Sequence, residues 1–325
     1  MFRRLFGGEE AADNLRIIIT RHGERADLAL GKNWLRRARR QGGHDSRISR
    51  LPRRPNFHEW EYDPPLTVAG EKQSVSVGRK LLELGYPIDY CYSSPAYRSI
   101  QTANRILESQ GRRRAVPINI EPGLFEYSSW YSGAPLVFIP PEYLAMDRRF
   151  YINTGYSPIY GSVDTNENEQ QFYRRSRQLL DAIVAAHKYQ GGTILLSGHA
   201  ASIEAITRSL RGGVGRHGQY ESLMHGAARV NFSNFAILER DGRTGAWSVH
   251  YPESHNSPHG RRGSSMQHTI PLHSVTTYHR ASRRAGRSPR RRNVSQVAHH
   301  RHDSQYQHYS QYQHPSHYQH HSHYR

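Results

Sequence analysis

The segment LRIIITRHGER, residues 15–25, sets the expectation for the whole fold. Residues 15–20 form a short, largely β-branched run, which is typical of a buried strand. The polar run Arg21-His22-Gly23-Glu24-Arg25 follows directly, so it falls at the carboxyl end of that strand. In open α/β sheets, ligands bind beyond the carboxyl ends of the strands. We therefore expect a functional site around His22.

Two later strands are predicted to end in similar polar clusters. Residues 88–92 precede Ser93-Ser94-Pro95, with Arg98 one turn into the next helix, and residues 193–196 precede Ser197-Gly198-His199. Helical patterns separate these strands, which predicts an α/β fold with three layers: a mainly parallel sheet with helices on both faces. Because the carboxyl ends of parallel strands share one edge, positions 22, 98 and 199 are expected to converge.

The remaining elements follow from hydrophobic periodicity and from helix start and stop signals. Helices are predicted from Thr67 to Gly85, at about 96–109, at 170–189 and at 201–210, and further strands at 118–120, 235–238 and 247–251. Residues 26–63 form a long connection rich in Arg, Gly and Pro, whose conformation the sequence leaves open. A stretch of that length without regular structure is usually functional or disordered.

Composition separates the end of the chain from the rest. The 325 residues carry a net charge of +18, but residues 251–325 hold 14 of the 22 histidines and eleven Lys/Arg against two Asp/Glu. Such a segment cannot bury a core. The predicted organisation is an N-terminal extension at 1–13, a catalytic domain at 14–252 and a disordered basic tail at 253–325. A solvated tail is favoured over nonspecific contact with nucleic acid or acidic surfaces, a nuclear import signal, or weak metal binding by its histidines.

The single cysteine and the N-terminus indicate the compartment. Cys91 lies in a predicted strand and has no partner for an intramolecular disulfide, which favours a reducing environment and a structural role for the thiol. The first residues lack the apolar stretch of a secretory signal, and no run approaches the ~20 apolar residues that span a bilayer. We expect a soluble protein of the cytoplasm, with the nucleus as the alternative, and no membrane partner.

The residue types at the three strand ends suit phosphoryl transfer. A neutral imidazole is a nucleophile toward phosphorus, and a covalent intermediate divides one difficult displacement into two easier ones. Arginine binds phosphate oxygens through its planar fork and stabilises the charge that they carry through the transition state. One histidine, several arginines and a proton donor are together sufficient for phosphoryl transfer without a metal.

An ordered set of motifs carries a resemblance to a known family. The motifs are Arg21-His22-Gly23-Glu24-Arg25, Gly31-Lys32-Asn33-Trp34-Leu35, Asp63-Pro64-Pro65-Leu66-Thr67, Ser94-Pro95-Ala96-Tyr97-Arg98 with Gln101-Thr102-Ala103, Glu121-Pro122-Gly123-Leu124-Phe125-Glu126, Ile139-Pro140-Pro141, and His199-Ala200-Ala201-Ser202-Ile203-Glu204-Ala205. In this order they resemble the histidine phosphatase superfamily, whose founding members are the phosphoglycerate mutases. The likeness is closer to the phosphatase domains of the ubiquitin-associated and SH3 domain-containing proteins, which suppress T-cell receptor signalling, and to insect ecdysteroid-phosphate phosphatase.

The resemblance implies a phosphoglycerate mutase-like fold and a role for each residue of the first cluster. His22 would be the nucleophile that becomes phosphorylated, and Arg21, Arg25 and Arg98 would bind the phosphate. The family needs neither a metal nor another cofactor. The implied enzyme is a phosphoric monoester hydrolase of the histidine phosphatase type.

The resemblance also supplies a second histidine and an acid. His199 would bond a phosphoryl oxygen, and Glu126 would protonate the leaving oxygen and later activate water. Glu121 lies nearby in the sequence and remains an alternative proton donor.

The substrate is expected to carry a bulky apolar group. Six aromatic residues follow the third predicted strand: Phe125, Tyr127, Trp130, Tyr131, Phe138 and Tyr143. They would suit a phosphotyrosine in a phosphoprotein or, next, a small ester such as a steroid phosphate, or they would form the core of a helical cap. Phosphoglycerate mutase-type transfer and a non-catalytic phosphoprotein- or RNA-binding module are the alternative functions. A homodimer is left open.

Overall fold

The computed structural model describes residues 15–43, 45–210 and 223–252. The predicted N-terminal extension at 1–13 and the predicted tail at 253–325 lie outside the described residues. No helix in the described ranges is long and apolar enough to cross a membrane.

The described residues form one six-stranded sheet. Its strands are β1 Leu15–Arg21, β2 Tyr90–Ser93, β3 Ile118–Ile120, β4 Gly192–Gly198, β5 Phe235–Arg240 and β6 Trp247–His250. Their spatial order is β3-β2-β4-β1-β5-β6. The first four of these run parallel, β5 is antiparallel to β1, and β6 is antiparallel to β5. The prediction of a mainly parallel sheet is confirmed.

The helices of the described ranges lie largely between the strands. They are α1 Ala26–Ala29, α2 Trp34–Arg40, α3 Val68–Glu83, α4 Tyr97–Ser109, α5 Pro141–Met146, α6 Glu169–His187, α7 Ala200–Leu210 and α8 Leu223–Ala228, with 3-10 turns at Phe57–Glu61, Pro122–Leu124 and Ser128–Tyr131. Thr67 caps α3 by accepting the Gly70 N–H at 2.9 Å, as its sequence position predicts. α6 begins at a capping box of Asn168 and Gln171.

Alternation along β1 builds the three layers. Ile18 packs into the core beneath α3 and α4, whereas Ile17 and Ile19 pack into the core beneath α6 and α7. Successive side chains of a strand point to opposite faces, so an unbroken isoleucine run requires a covered sheet on both sides. The predicted three-layer architecture is confirmed.

The long connection after β1 is ordered in the described residues and contributes to the core. Its buried apolar side chains are Ala26, Trp34, Ala38, Ile48, Leu51 and Trp60. The Arg54 guanidinium stacks on Trp60, with 3.8 Å between its central carbon and the ring centroid, and Arg54 also pairs with the buried Asp63. Composition had suggested disorder or function. The buried tryptophans explain why this Arg-rich segment folds.

Candidate active site

The three predicted strand ends meet at one edge of the sheet. The backbone N–H of His22 donates to the Gly198 carbonyl at 3.1 Å, and that of Ser94 donates to the Ser197 carbonyl at 2.9 Å. These bonds continue the parallel pairing of β1 with β4 and of β2 with β4 beyond the last strand residues. The rings of His22 and His199 consequently lie 5.3 Å apart, centroid to centroid.

His22 is held in one tautomer. Its side chain is buried, and its Nδ1 lies 2.8 Å from the carbonyl oxygen of Gly23. A carbonyl oxygen can only accept, so Nδ1 carries the proton and Nε2 keeps its lone pair. Burial, and next the charge of Arg98, lower the pKa of His22 well below its usual value. The imidazole is therefore neutral at pH 7, with a nucleophilic nitrogen available.

Glycine at position 23 is a packing requirement. A Cβ there would lie 2.4 Å from the carbonyl oxygen of Gly70, in the first turn of α3. The Gly23 N–H also donates to the Thr102 hydroxyl on α4 at 3.1 Å. The end of β1 therefore passes close to two helices, and this contact fixes the position of His22.

Arg98 supplies donors that the described residues leave unused. Its side chain is fully buried on α4, and Nη2 lies 3.0 Å from the Tyr131 hydroxyl and 3.4 Å from Oε2 of Glu126. Nε and Nη1 have no hydrogen-bond partner in the described part of the chain, although Oδ1 of Asp63 lies 3.8 Å from Nη1. Buried donors of this kind normally find a partner. A phosphoryl oxygen would supply it.

Arg21 is held by an aromatic ring and a carbonyl. It donates to the Val230 carbonyl, and its guanidinium carbon lies 4.2 Å from the ring centroid of Phe232. Phe232 also lies 5.8 Å from the His22 ring. Burial lowers the pKa of Arg21 to about 9, which leaves it charged at pH 7. Its Nε has no hydrogen-bond partner among the described residues.

Arg25, the third predicted phosphate-binding arginine, already pairs with a carboxylate. It forms a two-point pair with Asp27, with Nε at 3.0 Å and Nη2 at 2.7 Å from the carboxylate oxygens. Its charge nevertheless contributes to the lowered pKa values of His22 and His199. Arg25 thus belongs to the cluster electrostatically, with part of its fork occupied by Asp27.

His199 is the second neutral imidazole. Its Nδ1 lies 3.4 Å from Nη2 of Arg98, and its Nε2 lies 2.9 Å from the Ser94 hydroxyl. A guanidinium can only donate, so Nδ1 accepts and Nε2–H donates to Ser94. Burial, and next Arg98, lower the pKa of His199 well below its usual value.

Glu126 lies within the cluster. Its Oε2 accepts a hydrogen bond from the Tyr131 hydroxyl at 2.8 Å and lies 3.8 Å from Nδ1 of His199. The carboxylate therefore lies beside both the second histidine and Arg98.

Glu121 has a different setting. It is fully buried, and its two oxygens accept four hydrogen bonds. The donors are the N–H groups of Gly123, Ile159 and Tyr160 and the hydroxyl of Tyr156, at 2.7–3.1 Å. Glu121 holds a neighbouring loop and has no contact with the two histidines in the described residues.

The six aromatic residues singled out in the sequence have mixed settings. Phe125, Trp130 and Tyr131 are buried in one apolar cluster, whereas Tyr143 is exposed. The Phe125 ring lies 5.4 Å from His199 and 5.1 Å from Phe138. Most of these side chains therefore belong to the core. Phe138 contacts this core and also lines a groove.

The groove has a volume of about 730 Å³ and begins at Pro95, directly after Ser94. All fifteen described residues that line it are uncharged, and six of them are prolines: Pro95, Pro122, Pro135, Pro140, Pro141 and Pro158. Its lining includes Ile120, the last residue of β3, and Pro95, two residues after the end of β2, but no member of the histidine and arginine cluster.

The comparisons with known proteins fit this arrangement. The family profile of the histidine phosphatase superfamily (branch 1) matches residues 17–235. The chain belongs to this superfamily. Mouse ubiquitin-associated and SH3 domain-containing protein B is 33% identical over 256 residues, which cover 76% of this chain and 40% of that protein. Drosophila melanogaster ecdysteroid-phosphate phosphatase is 33% identical over 254 residues, which cover 74% of this chain and 32% of that protein.

The chain thus spans at most about two fifths of the length of these curated relatives. Among solved structures, the Bombyx mori ecdysone phosphate phosphatase in complex with tungstate is similar, with a TM-score of 0.64 and 26% identity. The alignment covers 77% of this chain and 98% of that one. The resemblance drawn from the motifs is confirmed, as is the fold that it implied.

Sequence reasoning missed the residues that hold the cluster in place. Asp63 is fully buried and accepts the Tyr97 N–H at 2.8 Å beside Arg98. Its position in the quoted Asp-Pro-Pro-Leu-Thr motif was a signal that could have identified it. Tyr131 was noted only as an aromatic side chain. Phe232 gave no signal, since its role depends on contacts with a strand 200 residues earlier.

Proposed function

We propose that this protein is a phosphomonoester hydrolase that acts through a phosphohistidine formed on Nε2 of His22. The observation that carries the proposal is the tautomer: Nδ1 donates to the Gly23 carbonyl, so Nε2 is a neutral nucleophile. It lies in a cluster with Arg98, whose Nε and Nη1 have no partner in the described residues. Superfamily membership supports the same chemistry.

The first step is attack of Nε2 on phosphorus. The Nε2–P bond forms as the ester P–O bond breaks, and the protonated Glu126 gives its proton to the leaving oxygen. The Tyr131 hydroxyl holds Oε2, which leaves Oε1 to carry the proton. Arg98 and Arg21 would stabilise the equatorial oxygens of the transferred group.

The second step restores the enzyme. The Glu126 carboxylate takes a proton from water as the water oxygen attacks phosphorus and the Nε2–P bond breaks. Inorganic phosphate leaves, His22 is again neutral, and Glu126 is again protonated. No metal enters either step, because the arginines supply the positive charge that phosphoryl transfer needs.

The groove favours an ester with an apolar alcohol. Its uncharged lining includes Pro95, the residue after Ser94, whose hydroxyl lies 2.9 Å from Nε2 of His199, and this position suits a flat or extended apolar group on the phosphate ester. We propose phosphotyrosine in a protein as the first substrate class and a steroid phosphate as the second. No charged side chain among the described residues lines the groove, so the groove itself offers no partner for the carboxylate of a phosphoglycerate.

Hydrolysis of p-nitrophenyl phosphate in the presence of EDTA tests the proposal. Wild-type protein is expected to turn over, whereas His22→Ala is expected to lose activity while its circular dichroism spectrum is unchanged. His58→Ala removes an exposed histidine elsewhere and serves as the control. Activity in His22→Ala, or full loss of wild-type activity on chelation, would refute the mechanism.

A further inference from the structure

The ordered connection after β1 carries many exposed cations. Between residues 31 and 53 seven cationic side chains are exposed: Lys32, Arg36, Arg39, Arg40, Arg47, Arg50 and Arg53. We call these seven residues the basic surface. The one acidic residue in the described part of this span, Asp45, is buried and bonds Arg47. The described residues of this span therefore contain no exposed carboxylate.

The outer face of α2 carries charges of one sign. Arg36 lies three residues before Arg39 and four before Arg40 on α2, so like charges occupy one helix face. Such pairs destabilise a helix, and an ordinary solvated face mixes both signs. The inward face of α2 supplies its stability through Trp34 and Ala38, both buried. Arg39 and Arg40 also lie in the last turn, where the helix dipole favours cations, and the outer face of α2 as a whole is complementary to a negative partner.

Hydrogen bonds connect the basic surface to the catalytic cluster. The Arg47 carbonyl accepts the Val68 N–H at 2.8 Å, at the start of α3, where Thr67 bonds Glu24. At its other end, Arg54 follows Arg53 and pairs with Asp63, which lies beside Arg98. Arg54 also donates to the Val137 carbonyl at 2.9 Å, one residue before Phe138 of the groove. The segment that carries the basic surface thus contacts residues adjacent in the chain to the phosphate cluster and to the groove.

The surroundings of the surface select one kind of partner. Single-stranded nucleic acid needs exposed aromatic rings for stacking, and both tryptophans of this segment are buried. A membrane surface needs an exposed apolar face beside the charges, and no large exposed hydrophobic residue lies in its described residues. Exposed cations alone match an acidic polypeptide, which a phosphoprotein substrate of the neighbouring site would supply.

We propose that the basic surface docks acidic residues that flank the phosphorylated residue of a protein substrate. The inference rests on the proposed phosphatase function and narrows it to acidic phosphoproteins. An extended peptide advances about 3.3 Å per residue, so acidic residues about three to six positions from the phosphorylated one lie about 10–20 Å from its Cα along the chain. Salt screens the attraction between their carboxylates and the exposed cations of the basic surface.

The test uses the full chain and three phosphotyrosine peptides of equal length. One peptide carries Glu residues before the phosphotyrosine, one carries them after it, and one carries Gln at all those positions. Wild type is expected to cleave at least one acidic peptide with a kcat/KM about tenfold above that of the neutral peptide at low salt. The preference is expected to shrink as ionic strength rises.

Two variants assign the effect to the surface. Arg36→Gln/Arg39→Gln/Arg40→Gln neutralises the outer face of α2, and Arg50→Gln/Arg53→Gln neutralises the other end without touching a helix. Both are expected to lose most of the preference, with p-nitrophenyl phosphate hydrolysis unchanged.

The matched control is Arg79→Gln/Lys188→Gln/Arg243→Gln, which removes the same charge as the α2 variant. Arg79 is near the end of α3, Lys188 follows α6 and Arg243 lies in the β5–β6 turn, all exposed and toward the opposite edge of the sheet. This variant is expected to keep the preference.

Three results would overturn the docking proposal. The first is equal kcat/KM for acidic and neutral peptides in wild type, and the second is a loss of the acidic preference in the control variant as large as in the α2 variant. The third is inhibition of acidic-peptide cleavage by polyuridine in wild type that is absent in the α2 variant. The last result would assign the surface to nucleic acid. Wild type that fails to hydrolyse p-nitrophenyl phosphate would instead refute the proposed function, so the two failures are distinguishable.

Discussion

The substitution Glu126→Gln tests whether Glu126, and not the neighbouring Glu121, donates the proton to the leaving oxygen. Gln is nearly isosteric, and its amide oxygen can still accept from the Tyr131 hydroxyl at 2.8 Å. It cannot deliver a proton to a leaving oxygen. General acid catalysis contributes about 10²–10⁴ in rate, and the contribution grows as the leaving group becomes more basic.

The expected magnitude therefore depends on the substrate. With phenyl phosphate, whose leaving group resembles tyrosine, kcat/KM of Glu126→Gln is expected to fall by about 10²–10³. With p-nitrophenyl phosphate, whose leaving group departs readily as an anion, the loss at the first step is expected to be much smaller. Stopped-flow measurement of the first turnover with both esters isolates this step from the later attack of water.

Glu121→Gln is the matched comparison. Its carboxylate accepts four hydrogen bonds, and an amide would place donors opposite two of the four donors. Hydrogen bonds to a charged group contribute about 1.5–3 kcal/mol each, so the loss of two lowers the free energy of unfolding by about 3–6 kcal/mol. Urea titration measures that loss. A leaving-group-dependent rate loss in Glu121→Gln, or its absence in Glu126→Gln, would refute the assignment.

Three further predictions concern the arginines and histidines of the cluster. Arg98→Lys keeps the charge but loses the planar fork, so kcat/KM is expected to fall about a hundredfold, and an unchanged value would contradict the role of its unpartnered donors. Phe232→Leu removes a cation–π contact worth about 0.5–1 kcal/mol, so inhibition by inorganic phosphate is expected to weaken about two- to fivefold, whereas Phe232→Tyr should retain it. The pKa values of His22 and His199 are lowered in the folded state, so below pH about 6.5 the unfolded chain binds protons that the folded protein does not. The free energy of unfolding is therefore expected to fall with decreasing pH below about 6.5, by up to about 1.4 kcal/mol per pH unit for each histidine. Urea titrations at several pH values measure this slope, and His199→Gln should reduce it.

The sequence was sufficient where local signals and topology act together. The apolar runs before His22 and His199 indicated two buried strands. The helix after Ser94 placed Arg98 one helical turn beyond the end of a third strand. Parallel pairing then brings all three to one edge with no further information. Convergence of His22, Arg98 and His199 could therefore be anticipated before any contact was known.

The sequence and the strand topology could not decide whether Glu121 or Glu126 is the proton donor. The two carboxylates are five residues apart after the same strand and have the same chemistry. What separates them is a loop that donates to Glu121 and the Tyr131 hydroxyl that donates to Glu126. Those partners depend on tertiary packing.

Two other features also depend on tertiary contacts and could not be predicted from the sequence. Composition suggested disorder or function for residues 26–63, but the burial of Trp34 and Trp60 depends on contacts that no local pattern reveals. Arg25 was assigned to phosphate by its motif, and its two-point pair with Asp27 shows that a motif gives residue types without their partners.

The covalent step is tested most directly by trapping the phosphorylated protein. Wild-type protein is mixed with a phosphotyrosine peptide, quenched in alkali within one turnover, digested and mapped by mass spectrometry. The account predicts one phosphoryl group on the peptide that contains His22, stable in alkali, lost in acid and absent in His22→Ala. Full turnover by wild type with no phosphoryl group on His22 at any quench time, together with inversion of configuration at phosphorus, would contradict it.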